Sequence, residues 1–287
     1  MDSLLYTLPE TVHKQNYIIA SYHIRLPKEA DILKKAAALA VGQTIGTWIP
    51  IPGITEEIRE TYMGKVVNVF DVPSLDLATQ IGDDLREYLI QIAYPAVNFG
   101  ADLPLMITSL LGNDASTSAQ VKLLDIEFSE EFAGKFRGPR YGIEGIRRFA
   151  GINDRPILLN MIKPCTGLTP KEGANIFYET ALGGVDFIKD DELLGNPVYS
   201  KPGERVRAYK EAAEAAYEKT GERVKYFVNI TSGADEIIEN VKRAEDAGAD
   251  GLMINFAVVG YSVLKHVAEH TLSLIHISEP TRLRRIS

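Results

Sequence analysis

Cysteine is almost absent from these 287 residues: Cys165 is the single one. No internal disulfide can form, and a reducing cytoplasm is the expected compartment. Histidine is nearly as scarce, with five residues. His266 and His270 stand four apart on a terminal helical stretch with no third ligand nearby, which argues against zinc. Long apolar runs are missing too, since Ala36 to Val41 falls far short of a bilayer span. Asp2, Glu10 and Lys14 break up the opening residues, so no signal segment is read there. No basic stripe occurs and the net charge is −8, so neither nucleic acid nor membrane is an expected partner. No phosphate-binding G-x-x-x-x-G-K loop, G-x-G-x-x-G fingerprint or G-x-S-x-G elbow appears, which excludes the common nucleotide and serine-hydrolase signatures. What is present, 45% hydrophobic and 24% charged residues, is the balance of a globular protein with one large or two ordinary domains.

The segment from Leu272 to Arg282 reads LSLIHISEPTR, the translation of a transposase adapter used in sequencing libraries. So specific a match sets residues 272–287 apart from fold reasoning, as an expression scar would be. Glu279 against Arg282, Arg284 and Arg285 gives that tail a net +2, which leaves −10 for the rest. On this reading the natural chain continues beyond His270, and the sequence is a fragment.

Residues 1 to about 140 mix strands and helices without a repeat. Asn16 to Arg25 alternates and is β-rich, and Gly64 to Val72, Tyr88 to Tyr94 and Val121 to Phe128 read as further strands. Asp31 to Val41 and Leu103 to Leu111 read as helices. That order suggests helices on one face of a mainly antiparallel sheet. From Arg155 the rhythm becomes strict β then α. Strands are expected at Pro156 to Ile162, Val185 to Lys189, Lys225 to Ile230 and Gly251 to Phe256. The first following helix starts with a capping box, Thr169 as N-cap, Pro170 at N1 and Glu172 at N3, and stops at Gly183-Gly184. Helices to Thr220, from Ala234 to Ala247 and from Ser262 to His270 complete four βα units, as in a parallel sheet covered by helices. An open doubly wound sheet and half of a (β/α)8 barrel both fit.

Polar residues cluster where these strands end: Lys163, then Lys189-Asp190-Asp191-Glu192, then Asn229 and Thr231, then Asn255. Taken singly, the acidic run reads as a solvated turn, Lys163 as a snorkelling side chain and the asparagines as loop hydrogen-bonders. Four successive apolar strands all ending this way point instead to a site, because an unpaired buried polar group costs about 2 kcal/mol or more. Alternation puts Phe187, Lys189 and Asp191 on one face, and Met161, Lys163 and Cys165 on one face of the preceding strand. If that face is a barrel interior, two lysines and a carboxylate converge on one mouth.

Ile162-Lys163-Pro164, Gly167-Leu168-Thr169-Pro170 and the string Gly183 to Glu192 (GGVDFIKDDE) together resemble the RuBisCO large-subunit family. Gly46-Thr47-Trp48 and Gly112-Asn113 resemble its N-terminal site segments, so the likeness runs over about residues 16 to 270. It implies an α/β chain with a ferredoxin-like α+β domain over residues 1–140. Residues 141–271 would be the first four βα units of a TIM barrel, truncated before the non-native tail at 272–287. It implies that Lys189 takes up CO2 as a carbamate and, with Asp191 and Glu192, binds Mg2+ through hard oxygen donors. Magnesium would acidify the proton next to a ketone and stabilise the enediolate, with Lys163 as acid/base. Thr47, Trp48 and Asn113 are implied as substrate contacts supplied from a second subunit of a homodimer. Asn229 joins them as a substrate-binding candidate at its strand end.

Two departures choose the branch. Carboxylases of the family carry a second lysine where this chain has Cys165, and a glutamate where it has Gly42. Each loss removes a charge-assisted contact of about 1.5–3 kcal/mol while leaving the metal positions in place. The expectation is a RuBisCO-like protein (form IV) that enolises a phosphorylated ketose or related ketone. A divergent ribulose-bisphosphate carboxylase and a non-catalytic regulatory homologue are the alternatives. The sequence as it stands, with half a barrel, is expected to be inactive.

Overall fold

A computed structural model describes residues 5–47, 49, 51–73, 84–117 and 121–278. The chain divides into two compact units that meet in sequence between Gly138 and Pro139.

The first unit contains, in order, α1 (Pro9–His13), β1 (Tyr17–Pro27), α2 (Ile32–Gly42), α3 (Glu56–Tyr62), β2 (Lys65–Asp71), β3 (Leu85–Pro95), α4 (Leu103–Leu111), α5 (Asp114–Thr117), β4 (Lys122–Glu127) and α6 (Glu130–Ala133). Its four strands lie in the order β2-β3-β1-β4 and every pair is antiparallel. A strand–helix–strand–strand–helix–strand order with that pairing is the ferredoxin-like arrangement anticipated from the sequence. Strand β1 explains itself by alternation: Ile18, Ala20, Tyr22, Ile24 and Leu26 enter the core together with Ile90 and Ile92 of β3. Helix α2 lays Ala36, Leu39, Ala40 and Val41 on that core, and Asp31 caps it by accepting the Lys34 amide at 3.1 Å.

The second unit runs α7 (Gly142–Ala150), β5 (Leu159–Met161), α8 (Pro170–Leu182), β6 (Phe187–Lys189), α9 (Pro202–Thr220), β7 (Lys225–Asn229), α10 (Ile237–Asp246), β8 (Gly251–Asn255), α11 (Phe256–Val259), α12 (Tyr261–His270) and β9 (Leu274–Ser278). Strands β5 to β9 form one parallel sheet in sequence order, the layout of a partial barrel. The capping box is present at α8: Thr169 accepts the Glu172 amide at 3.3 Å, and Glu172 accepts the Thr169 amide at 2.9 Å.

Several elements differ from expectation, among them α7 and the strand after α12. Helix α7 was not anticipated; its glycines at 142 and 145 mask a face formed by Ile146, Phe149 and Ala150. Leu274–Ser278, which lies in the tail set aside as non-native, pairs in parallel register with Gly251 to Asn255. An open parallel edge offers unpaired backbone groups, and Leu274 joins the apolar cluster on one side of the sheet.

The sheet has two unlike faces. Ile188, Tyr226, Val228, Leu252 and Ile254 pack outward on helix residues such as Phe177, Val206, Tyr209, Val241 and Val267. Phe187, Phe227 and Leu274 turn to the other face, over Ile146 and Phe149 of α7. Alternation then carries Lys189, two residues past Phe187, and Asn229, two past Phe227, along that inner face to the strand ends.

Candidate active site at the strand ends

The Lys189 side chain is buried, with Nζ 2.8 Å from Glu192 Oε1. Its other neighbours are the Asp190 carbonyl at 3.3 Å and the thioethers of Met161 at 3.4 Å and Met253 at 3.8 Å. Lys163, half-exposed on the neighbouring strand end, donates to Asp191 Oδ2 at 2.5 Å and to Cys165 Sγ at 3.0 Å. Two lysines and two carboxylates thus meet as two ion pairs, Lys163 with Asp191 and Lys189 with Glu192. Burial pushes the Asp191 carboxyl up, but the Lys163 ammonium and the Leu193 amide outweigh it and hold the group below the usual carboxylate range. The hydrogen bond to Asp191 raises Lys163 in turn.

Asp190 faces the other way. Its Oδ2 accepts from Arg205 Nε at 3.2 Å and Nη2 at 3.0 Å and from the Asn229 amide at 2.8 Å. Its Oδ1 accepts the Tyr226 hydroxyl at 2.6 Å. Arg205 is fully buried and also donates to the carbonyls of Ser200, Leu194, Gly195 and Asn229. Burial opposes the charge on Arg205, and Asp190 more than restores it, so the guanidinium lies above its ordinary value. This support was not foreseen. Its signal was a charged residue beside the buried stripe Pro202, Val206, Tyr209, Ala213 and Ala216 of α9.

The side-chain amide of Asn229, the expected substrate contact, is hydrogen-bonded within the protein. Nδ2 donates to the carbonyls of Asp191 at 3.0 Å and Glu192 at 3.1 Å, and Oδ1 accepts the Thr231 amide at 3.0 Å. Asn255 adds a third such bond, Nδ2 to the Glu192 carbonyl at 2.8 Å. Thr47 and Asn113 belong to the first unit. Gln43 links their segments by donating to the Gly112 carbonyl at 2.7 Å, and Asn113 takes a left-handed backbone, φ 49°. The Asp114 carboxylate fills the space that a side chain at Gly42 would need. Trp48 lies outside the described residues.

Whether magnesium fits is a question of donors. Among the described residues no group of three His, Cys, Asp or Glu side chains could hold a metal, so Asp191 and Glu192 need a third anionic oxygen. Lys189 beside Glu192 supplies one only as a carbamate. With that change the set is three hard, anionic oxygen donors, which suits Mg2+, and the residues fit the ion. No helix among the described residues is long and apolar enough to cross a membrane.

Comparison with known proteins agrees with this layout. The model of the ribulose bisphosphate carboxylase large-chain N-terminal domain matches residues 6–132, and that of the large-chain catalytic domain matches residues 142–279. A ribulose bisphosphate carboxylase-like protein of Archaeoglobus fulgidus is 42% identical over 91% of this chain and 60% of its own length. A 2,3-diketo-5-methylthiopentyl-1-phosphate enolase of Geobacillus thermodenitrificans is 39% identical over 88% of this chain and 60% of its own. The crystal structure of a rubisco-like protein from Alicyclobacillus acidocaldarius superposes with a TM-score of 0.82 at 30% identity, covering 92% of this chain and 65% of that one. The chain therefore spans about three fifths of the length of these curated relatives. Matched in both halves by large-chain models, it belongs to the RuBisCO large-chain family, with RuBisCO-like proteins among its relatives.

Proposed function

We propose that the whole protein is a magnesium-dependent enolase of the RuBisCO-like branch, acting on a phosphorylated ketone of the diketo-alkyl phosphate class. One observation carries the proposal: Lys189, Asp191, Glu192 and Lys163 meet as two ion pairs at adjacent strand ends. The name of the Geobacillus relative supports the substrate class.

Lys189 would first lose a proton. Its amine nitrogen then attacks the carbon of CO2, the N–C bond forms as one C=O electron pair moves to oxygen, and a second proton leaves. The carbamate, Asp191 and Glu192 would hold Mg2+, which supplies a Lewis acid to a ketone oxygen. Lys163 stands on the half-exposed side of the cluster, where, released from Asp191, it can take a proton from the substrate as the amine or give one as the ammonium. Asn229 and the Asp190–Arg205 pair hold the acidic run in place behind it.

A homodimer in which Thr47, Trp48 and Asn113 serve a partner's site completes the proposal, and a reducing cytoplasm suits the lone thiol of Cys165. Cys165 and the filled space at Gly42 speak against fixation of CO2 onto substrate.

The test is thermal unfolding with magnesium, bicarbonate, both or neither, on wild type and Lys189→Met, followed by proton–deuterium exchange into a diketo-alkyl phosphate by the full-length protein. Stabilisation by the two together, about 2.7 kcal/mol at a hundredfold excess over Kd, is expected for wild type and not for Lys189→Met. No response to the pair, together with no exchange, would sink the enolase reading.

A further inference from the structure

We propose that Asn255, acting with Asn229, is a positioning residue that clamps the backbone of the acidic pair Asp191-Glu192. This rests on the magnesium reading above. Two amides from successive strands converge on one peptide oxygen: Asn229 Nδ2 reaches the Glu192 carbonyl at 3.1 Å and Asn255 Nδ2 reaches it at 2.8 Å. Asn229 also holds the Asp191 carbonyl at 3.0 Å. Below them, Thr231 ties the two strand ends together, its amide donating to Asn229 Oδ1 and its Oγ1 accepting the Asn255 amide, both at 3.0 Å.

Two carboxylates that share an ion with a third donor need a fixed backbone between them, since outer hydrogen-bond partners orient the groups that ligate. Asn255 has a feature that fold stability alone does not explain. The residue is 7% exposed, yet Oδ1 finds no partner among the described residues. A buried acceptor left unpaired lowers stability, so leucine would fill the position at least as well. What the asparagine side chain adds is its donation to the Glu192 carbonyl.

The experiment compares wild type, Asn255→Leu and Asn255→Asp in the full chain. Magnesium is titrated at fixed bicarbonate and followed by melting temperature. Asn255→Leu is expected to melt no lower than wild type without magnesium, while its magnesium midpoint rises about 10–100-fold. Asn255→Asp, which sets an oxygen against the Glu192 carbonyl, should raise the midpoint at least as much. Amide hydrogen exchange without metal reads the clamp by itself. The Leu193 amide donates to Asp191 Oδ1 and the Leu194 amide to the Asp191 carbonyl, and both should exchange faster in Asn255→Leu. Unchanged exchange at these amides overturns the clamp whatever the metal does. A wild type that ignores magnesium and bicarbonate, with faster exchange in the variant, overturns the magnesium reading and keeps the clamp.

Discussion

Arg205→Met tests the buried support most directly. Arg205 and Asp190 both have side chains with no exposed surface. Methionine keeps the apolar stem but leaves Asp190 charged and unpaired, a loss of about 3–5 kcal/mol. The carbonyls of Leu194, Gly195, Ser200 and Asn229 lose a donor at once, which adds about 1 kcal/mol or more. The expected total is about 4–6 kcal/mol, measured by urea unfolding followed by circular dichroism. In a unit of this size the melting temperature should fall by about 10–20 °C. Adding Asp190→Asn removes the stranded charge, and the new amide can keep both neighbours, its oxygen accepting the Asn229 amide and its Nδ2 donating to the Tyr226 hydroxyl, so the double variant should regain about 2 kcal/mol over Arg205→Met. A loss below about 1.5 kcal/mol for the single variant, or two single losses that simply add, would refute the buried-pair reasoning.

Three further predictions follow from local geometry. Arg155 donates to both oxygens of Asp186 at 2.7 and 2.6 Å, and that contact holds the Asp186 carboxyl below its ordinary range. The stability from this pair is present above the unfolded value near pH 4 and is lost as pH falls through the lower folded value. Unfolding curves between pH 5 and 2.5 should therefore be flatter for Asp186→Asn than for wild type. Gly42→Ala should destabilise by about 1–3 kcal/mol in thermal unfolding, because the Asp114 carboxylate occupies the space of the added carbon; Asp114→Ala in the same chain should recover most of it. Thr169→Ala opens the capping box of α8 and should lower stability by about 1 kcal/mol, read in the same melts.

Much of this was legible in one dimension. The capping box names its own partners, because Thr169 and Glu172 are one turn apart and need nothing else to find each other. Likewise, alternation in β1 and around Phe187 and Lys189 assigns faces whatever lies across the sheet. Strand β5 was harder: three residues pair where a seven-residue apolar run was expected, since pairing is decided by the neighbour β6. Asn229 shows the other limit. An asparagine at a strand end does not name its partners in the sequence, and the turn arriving from β6 supplies the carbonyls that Asn229 meets.

What the sequence by itself determined is periodic and local: the two rhythms, the caps, the polar strand ends, and the motif strings that carry the family. What only the tertiary structure decided is who meets whom across 15 to 63 residues. Asp190 turns from its acidic neighbours to Arg205, Lys163 pairs with Asp191, and two amides close on one carbonyl. The physical reason is burial. A charge or polar group taken out of water is stable only with a partner at hydrogen-bond distance, and that partner is supplied by whichever strand or helix the folded chain brings alongside.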